Sequence, residues 1–228
     1  MLQYWGNSYR FGGDPYRAQR SLIIHANGAN GSTSVTDFSP SPATLTMSGS
    51  ATISTSQSKF GGSSLSFLSS SAGSISFLAG SKLTFPSDFT IETWVYFPSV
   101  PSVYAAIFEA RAAASAQQFA LGFRTVSGVI TPELYDGSNV LQQGAVTTQA
   151  WAHVAWVRSG STLGTYVNKT LAGTNTLSGT LAPTGNTVFI GRLPYDNLNA
   201  TFFIDELIVT KAALTPSQFA FDSPALDF

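Results

Sequence analysis

From Ser21 onward, short runs of β-branched and aromatic residues alternate with clusters of Gly, Pro, Asn and Ser. That punctuation restricts the chain to strands joined by turns, because a helix needs apolar residues at a 3.6-residue period and almost none is sustained here. Strands are expected at 21–26, 51–55, 64–68, 74–78, 89–97, 104–110, 118–124, 129–136, 153–159, 163–168, 187–192 and 202–210. About a dozen strands at this spacing suit an all-β sandwich of two antiparallel sheets. Only LTPSQFAFD (214–222) reads as a helical turn, with Thr215 as N-cap and Pro216 at the first helical position.

The stretch WAHVAWVRSGSTLGTYVNKTLAG (151–173) sets one of the chain's two histidines between two tryptophans. Alternate side chains of a strand share a face, so Trp151, His153, Ala155 and Val157 point one way, and Ala152, Val154, Trp156 and Arg158 the other. After a turn at Ser159-Gly160 the alternation resumes through Leu163, Thr165 and Val167, and Asn168-Lys169 supplies a second tight turn. A catalytic role for His153 would require a nucleophile or an orienting carboxylate within hydrogen-bond reach. This run contains no acid, so His153 is expected to be structural, bonded to backbone or to a neighbouring loop.

At 228 residues the chain suits one large β domain. Charged residues are 10% of it and Ser with Thr about a quarter, so the surface is mainly hydroxyl and amide. A net charge of -1 provides no field to gather nucleic acid or an anionic membrane. The absence of cysteine removes disulfides, thiolate nucleophiles and zinc-thiolate sites together. The first 20 residues hold no continuous apolar stretch of the secretory or membrane-spanning kind, and synthesis in a cytoplasm is expected.

Residues 1–20 read as an extended arm in front of a single domain, 21–228. Tyr4, Trp5, Tyr9, Phe11 and Tyr16 lie in the arm with Arg10, Arg17 and Arg20. Disordered tails are poor in aromatics, so these imply a surface to lie on, either a partner chain's or the domain's own.

The residues of 151–167 resemble a W-x-H-V-A-x-x-R pattern followed by L-x-x-Y-V, found in laminin-G-like domains of the concanavalin A-like jelly-roll superfamily. DFTIETWVYF (88–97), FIGR (189–192) and FFIDELIVTKAALTPSQF (202–219) are similar to further segments of that family. SLIIHANGANGS (21–32) and ISTSQSKFGGSSLSF (53–67) resemble the opening of versions found in bacteriophage virion proteins. The resemblance covers about residues 21 to 219 and implies a jelly roll with two sheets of six or seven strands, one face concave. It also implies a candidate structural calcium, with Asp205 as ligand and the His25 or Asn27 backbone as partners. Asn27 and Asn30 stand where relatives often carry Asp, which weakens that site.

A glycanase needs two carboxylates flanking the glycosidic bond. No strand here carries two acids on one face, since Asp205 and Glu206 are adjacent and Glu92 and Glu109 stand alone. The chain is therefore expected not to be an enzyme. Two turns pair an aromatic ring with amides and an acid, as sugar binding requires: Tyr135 with Asp136 and Asn139, and Tyr195 with Asp196, Asn197 and Asn199. Each is equally a turn whose acid bonds its own backbone.

The resemblance implies a phage virion protein, expected to be a capsid decoration or cement subunit on the particle surface that associates as a homo-oligomer such as a trimer. Tyr4, Trp5, Tyr9, Arg10, Phe11, Tyr16 and Arg17 would anchor it to the major capsid protein or another virion subunit. The alternative is a glycan-binding or host-attachment module of a tail or fibre, with a cell-surface glycan as partner.

Overall fold

The computed structural model describes residues 14–70, 72–110, 119–183, 187–193, 198–220 and 222. Its first sheet holds β1 (Arg20–Ile24), β3 (Thr52–Ser54), β4 (Ser64–Phe67), β6 (Phe89–Tyr96), β11 (Trp151–Ser159), β12 (Thr162–Val167), β13 (Thr170–Thr176) and β17 (Phe202–Thr210). The second holds β2 (Thr46–Ser48), β5 (Ser74–Leu78), β7 (Ala105–Glu109), β8 (Phe119–Val126), β9 (Val129–Asp136), β10 (Val140–Gln142) and β14 (Thr187–Ile190). Strands β15 (Arg192–Leu193) and β16 (Leu198–Asn199) form a separate ribbon.

The first sheet runs β13-β12-β11-β6-β17-β4-β3, and the second β10-β9-β8-β7-β14-β5-β2. Long β17 pairs along its start with β4 and along its end with β1, so the same strand joins both early segments. All pairings are antiparallel, as a jelly-roll sandwich requires. The sheets carry eight and seven strands, so the second matches the expected six or seven and the first exceeds it by one. The helical turn is a 3-10 turn at Pro216–Gln218, in which Gln218 Oε1 accepts the Thr215 amide at 2.7 Å.

Burial follows the period-2 pattern. Ala152, Val154 and Trp156 face the core between the sheets, while Ala155 and Val157 belong to a smaller cluster on the outer side of the first sheet. A row of aromatic rings spans the sandwich: Phe67 and Phe202 lie 5.0 Å apart, Phe202 and Phe97 5.8 Å, Phe97 and Phe123 5.3 Å, and Phe123 and Trp156 5.7 Å. Each such pair adds about 0.5–1.5 kcal/mol to the burial of the rings themselves.

Strands β2, β10, β13 and β16 were not among the expected ones. Strand β13, TLAGTNT, is an exposed edge with little apolar content, so neither burial nor propensity marks it. The turn that creates it was legible: Asn168 and Lys169 both have positive φ, 49° and 66°, as a type I′ hairpin requires.

A bulge in β17 places the residues considered for calcium. Asp205 pairs in register with Trp94, the next register partner is Ile208 opposite Glu92, and Glu206 turns at φ 51°. Asp205 Oδ2 accepts the amides of Lys59 and Phe60 at 3.0 and 2.9 Å, and so fastens the SKFGG turn. Glu206 is held by His25, whose Nδ1 lies 2.8 and 2.9 Å from its two carboxylate oxygens. The exposed Asn27 side chain lies over Gly61, within 1.8 Å of where a Cβ would stand.

Calcium takes six to eight oxygens and gains affinity from ligand charge. Of the two neighbouring carboxylates, Glu206 is committed to His25 and only Asp205 Oδ1 is without a hydrogen-bond partner. Among the described residues no group of three or more His, Cys, Asp and Glu could hold a metal. Glu206 is thus taken up by His25, and the early strands are fastened to β17 by these hydrogen bonds.

Burial raises the Asp205 carboxyl to about 7, against the lowering effect of the two amides. The folded state then holds a proton that the unfolded chain releases near pH 4. Stability from this group is present at low pH and declines as pH rises to about 7, by on the order of 4 kcal/mol. Asp205→Asn keeps an oxygen for both amides and cannot ionise. Its melting temperature, followed from pH 4 to 8, is expected to lack this decline, whereas curves parallel to the parent's would contradict the assignment. Trp156→Ala, which empties the end of the aromatic row, is expected to cost about 3–5 kcal/mol in denaturant unfolding.

Candidate functional site

The histidine between the tryptophans does have a carboxylate partner, contributed from far away in sequence. Strands β6 and β11 pair with Glu92 opposite Ala155, so Glu92 and His153 are diagonal neighbours on the outer face of the first sheet. His153 Nε2 lies 3.1 Å from Glu92 Oε2, which also accepts the Ala220 amide at 2.9 Å. Arg20 Nη1 reaches Glu92 Oε1 at 3.5 Å and Thr210 Oγ1 at 2.6 Å, while its Nε donates to Asp14 at 2.8 Å. Trp94 and Phe219 pack on the imidazole with ring centroids 5.4 and 5.6 Å away.

This constellation is sealed, with His153 1% and Glu92 0% exposed. No substrate atom reaches it, and its effect is to tie residues 14–20 and 211–220 across the sheet. The expected backbone or loop partner for His153 is thus the Glu92 side chain, and Glu92 does not stand alone. A sequence separation of 61 positions hid the pair from local spacing.

Two anchoring residues of the arm join the same cover. Tyr16 packs with Ala155, Val157, Leu214 and Phe219, and its hydroxyl accepts from Gln218 Nε2. Arg17 Nη1 donates to the Phe38 carbonyl at 2.6 Å. Tyr4, Trp5, Tyr9, Arg10 and Phe11 lie outside the described residues, as do Tyr195, Asp196 and Asn197.

On the outer face of the second sheet, Arg124 stands exposed above buried Tyr104 and Glu133. Ser127 and Gly128 have positive φ, 49° and 83°, and close a two-residue hairpin that sets Val126 opposite Val129. In that register Arg124 stands opposite Thr131, and Glu133 opposite Gly122, on one face. Arg124 grips Glu133 through both Nε (2.7 Å) and Nη2 (3.1 Å), a planar two-point pair. Gln142 on β10 donates to Glu133 from the other side.

Beneath the pair, Tyr104 carries the guanidinium 5.3 Å from its ring centroid. Gly122 makes room for that ring, since a Cβ there would lie 3.0 Å from it and 2.2 Å from the Ala105 carbonyl. The bond from Glu133, first among its causes, raises the Arg124 pKa further, so the cation is permanent. Glu133 is 2% exposed in its side chain, but Arg124 is 51% exposed and offers its remaining donors to solvent.

Tyr135 continues this face on β9, half-buried, next to its register partner Val140, which is 53% exposed. Of the first candidate turn, therefore, the structure brings Tyr135 to the platform of Arg124, Glu133 and Gln142. Asp136 instead accepts the amides of Ser138 and Asn139 at 2.8 and 2.7 Å, and the Asn139 side chain at 3.1 Å. Those two residues build the turn. Sequence reading missed Arg124, Glu133 and Gln142, although the Ser127-Gly128 hairpin signal was sufficient to set Arg124 and Glu133 on one face.

The chain matches a laminin-G family model described as the concanavalin A-like lectin/glucanases superfamily over residues 69–220. A search of the curated proteins finds no match. Among solved structures, the binding domain of Paraclostridial Mosquitocidal Protein 1 is similar at TM-score 0.67 and 13% identity, over 89% of this chain and 51% of that one. Domain 4 of AbnA, a GH43 extracellular arabinanase from Geobacillus stearothermophilus, solved in complex with arabinotriose, is similar at TM-score 0.65 and 17% identity, over 88% and 96%. The binding domain of botulinum neurotoxin DC in complex with SialylT is similar at TM-score 0.62 and 13% identity, over 88% and 49%. The chain spans about half the length of the two toxin binding domains. At such identities the likeness concerns the fold, and the fold and the family match agree. The chain belongs to the concanavalin A-like lectin/glucanases superfamily.

Proposed function

We propose that this chain is a glycan-binding module that reads its ligand on the outer face of the second sheet. The observation that carries this reading is the Arg124 guanidinium, fixed in plane by Glu133 over the Tyr104 ring and exposed on the sheet face that Tyr135 shares. Sugars present adjacent hydroxyls and an apolar ring face, and a rigid planar donor next to an aromatic ring addresses both. Because Glu133, itself held by Gln142, and Tyr104 already hold the guanidinium in place, little side-chain freedom is lost on binding. Solved relatives with arabinotriose and SialylT bound support the reading at the level of the fold.

Hydrolysis is not part of the proposal. A general acid needs a carboxyl that keeps its proton near neutral pH. Glu133 is instead paired with a permanent cation at two points, Glu92 is sealed among Arg20, His153 and the Ala220 amide, and Asp205, which burial raises to about 7, is 1% exposed beneath the SKFGG turn.

The virion-like opening segments extend the proposal to location: the module would be displayed on a phage particle, as a host-attachment unit. A capsid-decoration role, with an oligomer gripping the major capsid protein through its arm, has less support. The contacts of Tyr16 and Arg17 lie within the chain.

A glycan array probed with the purified chain is expected to identify binders, and calorimetry with the best of them to show about ten- to thirtyfold weaker binding for Tyr135→Ala. Arg124→Lys keeps the charge near Glu133 but loses the planar fork, and is expected to weaken binding by a similar factor. Unchanged affinity in both variants, with the fold intact by circular dichroism, would remove the platform from consideration.

A further inference from the structure

A second recess lies at the other end of the molecule, between β1 of the first sheet and β5 of the second. It is a cleft of about 480 Å³ walled by the start of β1, the 40–44 loop, the turn after β5 and Lys211. That volume falls within the roughly 300–1,000 Å³ typical of small-ligand sites. Three strands of the second sheet, β8, β7 and β14, separate β9 and its Tyr135 from β5.

Two ammonium groups line the cleft, and their situations differ. Lys82 Nζ donates to Ser21 O (2.6 Å), Asp37 Oδ2 (2.7 Å), Ser39 Oγ (3.0 Å) and Ser41 O (2.7 Å). Burial alone would raise the Asp37 carboxyl, but Lys82 and the amides of Ala43, Ser39 and Ile23 hold it below its ordinary value. Asp37 is therefore ionised and matches the Lys82 charge, and that pair is structural.

Lys211 has no such match. Its Nζ donates to the Ser81 carbonyl, and among the described residues no acid pairs with it. Arg20, the third cation of the region, turns its guanidinium away to Asp14, Thr210 and Glu92. Partial burial and the nearby Lys82 both lower the Lys211 pKa, so an arriving anion would relieve an existing repulsion. One unmatched positive charge calls for a single negative charge, without the guanidinium fork or amide nest that a phosphate dianion favours. The other walls offer the hydroxyls of Ser41 and Thr44 and the Gln19 amide, and Leu78, 72% exposed, supplies an apolar patch.

We propose that this cleft is a second saccharide subsite, selective for a carboxylated sugar whose carboxylate meets Lys211 while its ring lies against Leu78. The assignment rests on the glycan-binding reading and extends it to an acidic ligand at a separate place.

The test uses the full chain, with 3′-sialyllactose and tri-galacturonate as probes, each beside its methyl ester, followed by amide chemical shifts in NMR titration. At least one acid is expected to shift Gln19, Leu78, Gly80 and Ser81, and its ester to bind at least tenfold more weakly. Lys211→Met keeps the aliphatic stem and is expected to lose that preference for acid over ester, while Lys211→Arg retains it. Equal binding of acid and ester, shifts confined to the Tyr135 face, no response to either acid, or equal displacement by inorganic phosphate would each overturn the subsite. Tyr135→Ala separates the two readings: it is expected to leave the cleft titration unchanged while weakening binding at the platform about ten- to thirtyfold. If platform binding failed in the parent chain and the cleft still selected the acid, the first reading would fall and this one would stand.

Discussion

A chain with no cysteine and one charged residue in ten has to hold its two sheets together by apolar contact. The aromatic row from Phe67 through Phe202, Phe97 and Phe123 to Trp156 meets that demand, drawing rings from both sheets into one continuous layer. Everything outside the layer is positioned by it. The strands keep their alternation because a one-residue slip would exchange these rings for the polar groups of the outer faces. The outer faces can then differ in character: residues 14–20 and 211–220 lie over one, and the other presents the exposed Arg124.

Buried polar groups act as fasteners for the segments that the apolar layer does not reach. Glu92 binds the two terminal segments through Arg20, His153 and the Ala220 amide. Asp205 holds the SKFGG turn, Glu206 holds His25, and Asp37 with Lys82 holds the 37–43 loop. Each carboxylate ties residues far apart in sequence, the entropic service that disulfides perform in other small domains. Removing the cationic partner of Asp37 or Glu92 would leave a buried charge uncompensated, so those groups stabilise as sets.

Period-2 alternation and turn chemistry were sufficient to read the two-sheet class, most of the long strands and the division of 151–158 between faces. They also identified the Asn168-Lys169 hairpin. Long-range partners were not legible, because nothing in WAHVAWVRS indicates that Glu92 will lie diagonally across from His153. The acids were compared only along single strands, and so the cross-strand grouping of Arg124, Glu133 and Gln142 went unseen. Short strands such as β2 and β10, and the Thr-rich β13, lack the burial that writes a pattern into sequence.

The composition of β13 bears on how such molecules behave at close quarters. Its outer backbone groups are an open invitation to another strand, yet Thr, Ala, Gly and Asn, with Leu171 alone as a large apolar side chain, would give an incoming strand hydrogen bonds with little greasy surface to cover. The register shift opposite Thr165 and Tyr166 further bends the ladder away from a straight template. Many copies can therefore stand side by side at high local density without zipping into a common sheet.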